Sequence, residues 1–352
     1  MHSGFATSQG TSHYTDRFPA SRQADFFRLA QGCSVSSLGI GTYLGAMAEE
    51  TDRSYTQAIL TAIRGGINFI DTSLNYRNQR SERNIGAALD QAFADSFSRD
   101  ELMVCTKAGY LVPDAVPMGV LKSEDLVGNM HSIAPAFLAD QLERSRVNLN
   151  LDTIDVFYLH NPETQLQFVS EDEFYRRAGA AFERLEMLVQ QNKIRYYGTA
   201  TWDGYRKRSG GLSLVRLLEL ADRVAGAGHH FRFIQLPFNI GMAEAFSLRN
   251  QSIDGVERNV LDVAQASDVT VVASASLLQA RLTRNMPEGV RERLPGPSCD
   301  AQFAVQFTRS APGVTVALVG MSKAAHVTEN LGVAAFPPAT GDQYQGLFAR
   351  AN

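Results

Sequence analysis

The sequence has little of several features that mark specialised classes of protein. Its 352 residues carry 33 basic and 37 acidic side chains, and the net charge of −4 offers no case for binding nucleic acid or an anionic membrane. The three cysteines, Cys33, Cys105 and Cys299, are widely spaced without metal-type pairing, which is typical of reduced thiols in a cytoplasmic protein. No apolar run approaches the ~20 residues that span a bilayer. We therefore expect a cytoplasmic globular protein with no metal centre and with neither a nucleic acid nor a membrane as its partner; any small-molecule partner must be inferred from the motifs.

The N-terminus also lacks the apolar centre of a signal peptide. Residues 1–26 are polar and rich in Ser and Thr, which predicts a flexible N-terminal extension. The remaining chain is long enough to bury a large core, and 44% apolar and 20% charged residues are typical of a globular protein. We therefore expect a single domain over residues 27–352.

Within that domain, short apolar runs alternate with helical patterns. Strands are predicted over Leu38–Thr42, Ile67–Ile70, Leu102–Thr106, Ile154–Leu159, Ile194–Thr201, Phe233–Leu236, Val269–Ala273 and Val314–Val319. Helices are predicted over Ser54–Arg64, Ser81–Ala94, Ala136–Leu149, Phe174–Gln190, Leu212–Val224, Val256–Ala266, Ala301–Arg309 and Ala324–Val333. A hairpin at Phe27–Val35 precedes them, and Ala108–Ile133 and Ser274–Pro297 are long loops.

This strict alternation predicts the fold. Continuously apolar strands between helices indicate a parallel sheet covered by helices. Eight units in about 300 residues fit an α/β fold of the closed (β/α)8 TIM barrel type. A doubly wound dinucleotide-binding sheet would need G-x-G-x-x-G after its first strand, and Gly39-Ile40-Gly41 supplies only the first two glycines.

Polar side chains directly follow three neighbouring apolar runs, at Asp71, Lys107 and His160. Taken singly, such an Asp is often a helix cap and such a Lys or His is often structural. In a barrel, however, catalytic groups lie at the carboxyl ends of the strands, so these three side chains should meet at one side of the mouth. Tyr76, five residues beyond Asp71, is close enough in sequence to join them.

These four side chains are suited to general acid catalysis, with Tyr76 as a proton donor whose pKa is adjusted by its neighbours. A free tyrosine has a pKa of about 10, and a Lys107 ammonium held by Asp71 should lower the pKa of Tyr76. His160 can donate a hydrogen bond to a substrate carbonyl oxygen. The set contains neither a nucleophile–base pair nor a metal cage, so it predicts carbonyl reduction by a bound hydride donor.

Longer motifs carry a resemblance to a known family. They are G-I-N-F-I-D-T-x-x-x-Y ending at Tyr76, S-E-x-x-I-G-x-A-L from Ser81, V-C-T-K at Lys107, K-I-R-x-x-G at Lys193–Gly198, Q-x-P-F-N at Gln235–Asn239 and G-M-S-K-x-x-H-x-x-E-N at Gly320–Asn330. From about Leu38 to Leu331 the sequence resembles the aldo-keto reductases. The resemblance implies a catalytic tetrad of Asp71, Tyr76, Lys107 and His160, and an NAD(P)H-dependent oxidoreductase that acts on an aldehyde, a ketone or the matching alcohol.

The segment after the last predicted strand suggests a phosphate site. Ser322 precedes a helix that Lys323 opens, and a helix N-terminus beside a cation is suited to an anion. The resemblance implies that Ser322, Lys323 and His326 bind the 2′-phosphate of NADP(H), in preference to NAD(H), and that Glu329 and Asn330 contact the adenine.

The resemblance also implies the other cofactor contacts, which are Gly41, Thr42, Asp71, Thr201, Gln235, Ser274, Leu277, Gln279 and Gly320. Three places depart from the family pattern. Ala200-Thr201 stands where the family has Ser-Asn, Ser274 stands where a stacking aromatic is common, and residues 275–280 lack the glycines of the family's pyrophosphate loop. Trp202 is equally compatible with a pocket wall and with packing on the barrel rim.

Two other functions remain open on the same barrel. One is an NADP(H)-sensing regulatory or binding subunit with little turnover, and the other is a lyase or isomerase that forms a Schiff base at Lys107. Specificity in barrels is set by the long loops. We expect Ala108–Ile133 to cover the pocket.

Overall fold

A computed structural model describes residues 1–116, 118–294 and 296–348. Eight parallel strands close into a barrel: β1 Leu38–Gly41, β2 Phe69–Asp71, β3 Met103–Ala108, β4 Ile154–His160, β5 Ile194–Ala200, β6 Phe231–Pro237, β7 Thr270–Ser274 and β8 Val316–Gly320. Strands that are consecutive in the chain are neighbours in the barrel, and β8 pairs with β1 so that Gly320 lies opposite Gly41. The predicted (β/α)8 fold is confirmed.

Each strand is followed by a helix near its predicted position. The helices are α1 Glu49–Arg64, α2 Arg80–Asp95, α3 Pro135–Leu149, α4 Glu171–Gln190, α5 Leu214–Ala225, α6 Val260–Ala266, α7 Asp300–Ser310 and α8 Ala324–Asn330. Helix α4 shows why they form, because it buries Phe182 and Leu185 on one face and is capped at its start by Ser170, whose side chain accepts a hydrogen bond from the Glu173 N–H. The apolar stripes of the helices cover the outside of the sheet. None of the described helices is long and apolar enough to cross a membrane.

The shorter elements lie outside this alternation. Hairpins pair Phe27–Ala30 with Cys33–Ser36 and Gln251–Ile253 with Val256–Arg258, and short α-helices lie at Ser8–Asp16, Pro19–Gln23, Glu244–Ser247, Glu288–Arg293 and Gly341–Gly346. Single 3₁₀ segments lie at Arg99–Glu101, Pro113–Ala115, Ser123–Asp125, Pro162–Gln167, Gly226–Gly228, Arg281–Thr283 and Leu331–Ala335.

The second hairpin corrects the prediction of one helix from Val256 to Ala266. Asp254 and Gly255 both have positive φ, 51° and 76°, and form the two-residue turn of the hairpin. Helix α6 begins four residues later than predicted because Asn259 is its N-cap, accepting a hydrogen bond from the Asp262 N–H at 2.8 Å.

The first 26 residues are folded against the barrel, in contrast to the flexible extension that their composition suggested. Tyr14 is fully buried, and its hydroxyl donates to the Ile63 carbonyl at 2.6 Å. Arg17 donates to both carboxylate oxygens of Glu101, each at 2.8 Å. Because Glu101 lies two residues before the start of β3, this segment lies at the amino ends of the strands, opposite the mouth. Its aromatic residues are too dispersed to show a periodic pattern in the sequence.

The inside of the barrel is filled by side chains, which include Phe69, Met103, Cys105, Val156, Tyr158, Phe233, Val272, Val316 and Leu318. One glycine is needed for this packing, because a Cβ at Gly198 would lie 1.8 Å from the Phe233 carbonyl oxygen where the β5–β6 register shifts. A filled interior leaves the mouth as the place for chemistry.

Candidate active site

The carboxyl ends of β2, β3 and β4 bring the four predicted side chains together. Asp71 and His160 end their strands, and Lys107 lies one residue before the end of β3. Lys107 Nζ donates to Asp71 Oδ1 at 2.5 Å and to the Thr72 carbonyl at 2.7 Å. The same Nζ lies 5.1 Å from the centre of the Tyr76 ring, which is 5.7 Å from the centre of the His160 ring.

Burial controls the charge of these groups. Burial alone would lower the pKa of Lys107, but Asp71 and Tyr76 outweigh that effect, and the pKa is raised above its ordinary value. Lys107 therefore remains an ammonium. Burial and the nearby Lys107 charge lower the pKa of His160 well below its ordinary value, so the imidazole is neutral.

The pKa of Tyr76 differs from the sequence-based expectation. Lys107 lowers this pKa, as expected, but burial raises it by more, and the net shift is upward. The sign of the Lys107 effect follows from charge alone, whereas the cost of removing the phenolate from water depends on the folded surroundings.

Two further side chains support the cluster. Ser73 Oγ lies 3.1 Å from His160 Nδ1. Gln235 Nε2 donates to Asp71 Oδ2 at 2.8 Å, so the residue predicted only as a cofactor contact also fixes the carboxylate. No group of three or more His, Cys, Asp or Glu within the described ranges is placed to hold a metal ion.

A cavity of about 800 Å³ opens beside the cluster. The predicted site residues that line it are Gly41, Thr42, Asp71, Tyr76, His160, Thr201, Gln235, Ser274, Leu277, Gln279, Gly320, His326, Glu329 and Asn330. Lys107 lies buried behind this wall. Ser322 and Lys323 are outside the lining: the Ser322 carbonyl accepts a hydrogen bond from Ser54 Oγ at 2.5 Å, and Lys323 is the exposed N-cap of α8.

The shape and lining of the cavity fit an extended ligand such as a dinucleotide. The cavity reaches from Gln235, beside the cluster, to Asn330 on α8. Asn330 is 3% exposed, and its Oδ1 has no hydrogen-bond partner among the described residues, so it is available to a ligand. A Cβ at Gly320 would enter open space, so glycine keeps that part of the wall clear.

Several residues near the cluster line the cavity but were not singled out from the sequence: Tyr43, Asn75, Tyr110 and Asn161. The Tyr110 ring centre lies 5.2 Å from that of His160, and Asn161 Nδ2 donates to the Tyr110 hydroxyl at 3.0 Å. Trp202, for which two placements were open, also lines the cavity. Tyr43, Tyr110, Asn161 and Trp202 all follow the end of a strand by one or two residues, and that position is the signal that could have found them.

The long β3–α3 loop folds onto the rim instead of covering the cavity. Of its described residues, Tyr110 alone lines the cavity, and Val112 and Ala115 are buried against Leu74. The base of the loop braces the fourth strand, because His131 Nε2 lies 2.7 Å from the His160 carbonyl oxygen. Burial lowers the pKa of His131 to about 4, so its ring is neutral in this contact.

Comparison with known proteins decides the family. The chain matches the model of the Aldo/keto reductase family over residues 37–293. The chain belongs to this family. It is 28% identical over 186 residues to the uncharacterized oxidoreductase YqkF of Bacillus subtilis, a match that covers 51% of this chain and 52% of that protein. It is 30% identical over 144 residues to a D-threo-aldose 1-dehydrogenase of a Pseudomonas species, covering 38% and 42%. This aldo-keto reductase therefore spans about half the length of the curated relatives it matches.

Solved structures agree with the fold of this aldo-keto reductase. An aldo-keto reductase from Klebsiella pneumoniae in complex with NADPH superposes with a TM-score of 0.64 at 18% sequence identity, covering 91% of this chain and 92% of that one. At this identity, the similarity establishes the barrel architecture.

The β7–α7 loop of this aldo-keto reductase has an unusual backbone. Ala275, Leu278, Gln279 and Ala280 have φ values of 56°, 45°, 52° and 66°. Non-glycine residues are disfavoured in this region by about 1–2 kcal/mol each, because Cβ approaches the following carbonyl oxygen. Residues 275–280 therefore keep a conformation suited to glycine although none of them is glycine, and such strain is concentrated at ligand sites.

Proposed function

We propose that this aldo-keto reductase transfers a hydride between NADP(H) and a small carbonyl compound or the matching alcohol, with Tyr76 as the proton donor. The observation that carries this proposal is the cluster of Asp71, Lys107, Tyr76 and His160 at the wall of a cavity large enough for a dinucleotide. Family membership supports the reaction class, and the NADPH in the similar Klebsiella structure supports the cofactor.

NADP(H), when bound, would supply or accept the hydride, and residues of this chain would hold it. Gln235 donates one N–H to Asp71, and its Oε1 would accept a hydrogen bond from the nicotinamide carboxamide. Asn330 offers its buried Oδ1 to the adenine amino group. Lys323 and His326, both exposed on α8 or at its start, would contact the 2′-phosphate.

Tyr76 is suited to act as the acid. Because its pKa is raised above that of a free tyrosine, the phenol keeps its proton at neutral pH. It would give that proton to the carbonyl oxygen as the alcohol forms, and the Lys107 ammonium would stabilise the phenolate that remains. In the reverse direction the phenolate would take the hydroxyl proton of the alcohol.

His160 is suited to bind the substrate oxygen. The neutral ring lies within hydrogen-bond distance of Ser73 Oγ at Nδ1, and in the tautomer with its proton on Nε2 it can donate to a carbonyl oxygen. Tyr43, Tyr110 and Trp202 would pack against the rest of the substrate.

The Schiff-base alternative conflicts with the state of Lys107. A Schiff base requires a neutral amine, whereas the pKa of Lys107 is raised and its ammonium is bound to Asp71. The cofactor-sensing alternative is favoured by Ala200 and Ser274, which line the cavity in place of the family's usual residues and weaken the case for precise nicotinamide binding.

Turnover assays with a Tyr76→Phe variant test the proposal. NADPH oxidation is followed by absorbance over a panel of aldehydes, ketones and aldoses. General acid catalysis contributes 10²–10⁴-fold, so Tyr76→Phe should lower kcat about a hundredfold or more while cofactor still binds. Tyr196→Phe, the same change on a residue outside the cavity lining, is the matched control.

Each contrary result has a defined meaning. NADPH binding without turnover of any carbonyl compound would favour the sensing subunit. Substantial turnover by Tyr76→Phe at neutral pH would remove Tyr76 from its role and make His160 the next candidate for the acid.

A further inference from the structure

We propose that Arg77 is a positioning residue that fixes the proton donor Tyr76 against the β1–α1 loop, defined here as residues 42–48. This inference rests on the proposed function, since it concerns the group that would donate the proton. It adds a residue that the tetrad does not include and that the sequence patterns did not single out.

The backbone at Arg77 is held in a disfavoured conformation. Arg77 directly follows Tyr76 and begins the run Arg77, Asn78 and Gln79, whose φ values are 49°, 52° and 70°. Three successive left-handed residues without a glycine persist only where the surrounding contacts enforce them. Strain of this kind immediately after a catalytic side chain indicates that the position of the chain matters there.

The side chain of Arg77 supplies the enforcing contacts. It is 2% exposed, which is rare for an arginine without specific partners. Its Nε and Nη2 both donate to the Ala46 carbonyl, at 3.1 and 2.8 Å, and Nη2 also donates to Asp52 Oδ1 at 2.6 Å. The guanidinium carbon lies 5.1 Å from the centre of the Tyr55 ring. The planar fork thus attaches the chain after Tyr76 to the β1–α1 loop.

The β1–α1 loop depends on such contacts because all its residues from Tyr43 to Ala48 are exposed. Its carbonyls at positions 42, 44 and 46 each accept a hydrogen bond from a side chain elsewhere. Ser81 Oγ binds the first at 2.8 Å, the Tyr55 hydroxyl binds the second, and Arg77 binds the third. Of these three donors, Arg77 is the one covalently joined to Tyr76.

The β1–α1 loop and the segment that carries Tyr76 are also in contact at the Tyr76 ring itself. The Tyr43 ring, carried by the β1–α1 loop, lies 4.9 Å from the Tyr76 ring between centres, at an angle of 58°. Tyr76 is therefore linked to the β1–α1 loop in two ways. Arg77, the next residue in the chain, is hydrogen-bonded to Ala46 of the loop, and Tyr43 of the same loop packs against the Tyr76 ring. Loosening the contact at Ala46 would free the Tyr43 ring and the backbone behind Tyr76 at once.

A neighbouring arginine provides a matched control. Arg80 Nη1 donates to Asp52 Oδ2 at 2.5 Å, so it shares the carboxylate partner of Arg77. Its side chain is 38% exposed. Arg77→Ala and Arg80→Ala each remove one guanidinium from Asp52, but Arg77→Ala also removes the contact with Ala46.

The first test compares kcat, cofactor affinity and thermal midpoint. Misplacing a reacting group by about 1 Å can cost on the order of a hundredfold, so Arg77→Ala should lower kcat about tenfold to a hundredfold with little change in NADPH affinity. Arg80→Ala should keep nearly the kcat of the wild type. Arg77→Gly relieves the left-handed strain and should have a higher midpoint than Arg77→Ala, yet keep the same low kcat. Recovery of kcat in Arg77→Gly along with the midpoint would overturn the proposal.

A second readout does not depend on turnover. Amide hydrogen exchange should become faster in both 42–48 and 72–79 in Arg77→Ala, but not in Arg80→Ala. Unchanged exchange in these two segments would overturn the proposal even if kcat falls. If the wild type binds NADPH but reduces no carbonyl, the proposed function fails, and the exchange result alone decides whether Arg77 joins the two segments.

Discussion

The Lys107 ammonium is completely buried, and in place of water it donates hydrogen bonds to two oxygen atoms, one from Asp71 and one from Thr72. An isolated buried charge would be costly, so the ion pair is what allows a cation to lie behind the cavity wall. Asp71, Lys107 and His160 could be predicted because strand ends are visible as breaks in apolar runs. The Gln235 contact to Asp71 and the upward pKa shift of Tyr76 could not, since they depend on neighbours brought together from distant strands and on burial.

The cofactor preference can be tested at a single exposed lysine. If Lys323 contacts the 2′-phosphate, Lys323→Ala should weaken NADPH binding about tenfold, because charge-assisted contacts contribute roughly 1.5–3 kcal/mol. NADH affinity should remain unchanged, since NADH lacks that phosphate. Fluorescence titration with both cofactors measures the effect, and Lys207→Ala, at another exposed lysine, is the control. An unchanged ratio of the two affinities would exclude Lys323 and leave His326 as the cation to test.

At the level of elements, strands and helices were predictable and loops were not. Strands β1–β8 carry largely apolar runs, whereas residues 275–280 of the β7–α7 loop reach left-handed conformations without glycine, the residue by which such turns are recognised. The prediction that the β3–α3 loop covers the pocket failed for a related reason. Its apolar Val112 packs against Leu74 on the rim, and composition cannot distinguish a residue on the rim from one in a pocket wall.

The strain in the β7–α7 loop predicts an unusual stabilising substitution. Ala280 is exposed with φ 66°, so Ala280→Gly should raise the free energy of unfolding by about 1 kcal/mol. Ala87 is exposed in the interior of helix α2, and there the same change should lower the free energy of unfolding by about 1 kcal/mol. Urea denaturation of the two variants measures the change in the free energy of unfolding in each. Destabilisation by both would show that the Ala280 conformation is not strained in solution.

At the scale of the whole molecule, the barrel divides into a mouth and a floor. The tetrad and the cavity lie at the carboxyl ends of the strands, whereas Tyr14 and its segment pack at the amino ends. The barrel could be predicted from eight alternating units, but the packing of residues 1–26 could not, because their few aromatic side chains follow neither helix nor strand periodicity. Substitutions at the amino ends of the strands should therefore change stability, and substitutions at the carboxyl ends should change the chemistry.

Substitutions at Tyr14 test whether stability and cofactor binding are separated in this way. Tyr14→Ala removes a fully buried ring and should lower the free energy of unfolding by about 3–5 kcal/mol. Tyr14→Phe keeps the ring and loses the hydrogen bond to the Ile63 carbonyl, so it should cost only about 1–3 kcal/mol. Both variants should bind NADPH with nearly the affinity of the wild type under conditions where they are folded, because Tyr14 lies on the floor and the cavity opens at the mouth. Denaturation midpoints and cofactor titration on the same samples measure the two properties. An unchanged midpoint in Tyr14→Ala would mean that the N-terminal segment does not contribute to the fold, and a parallel loss of NADPH affinity would mean that floor and mouth are coupled.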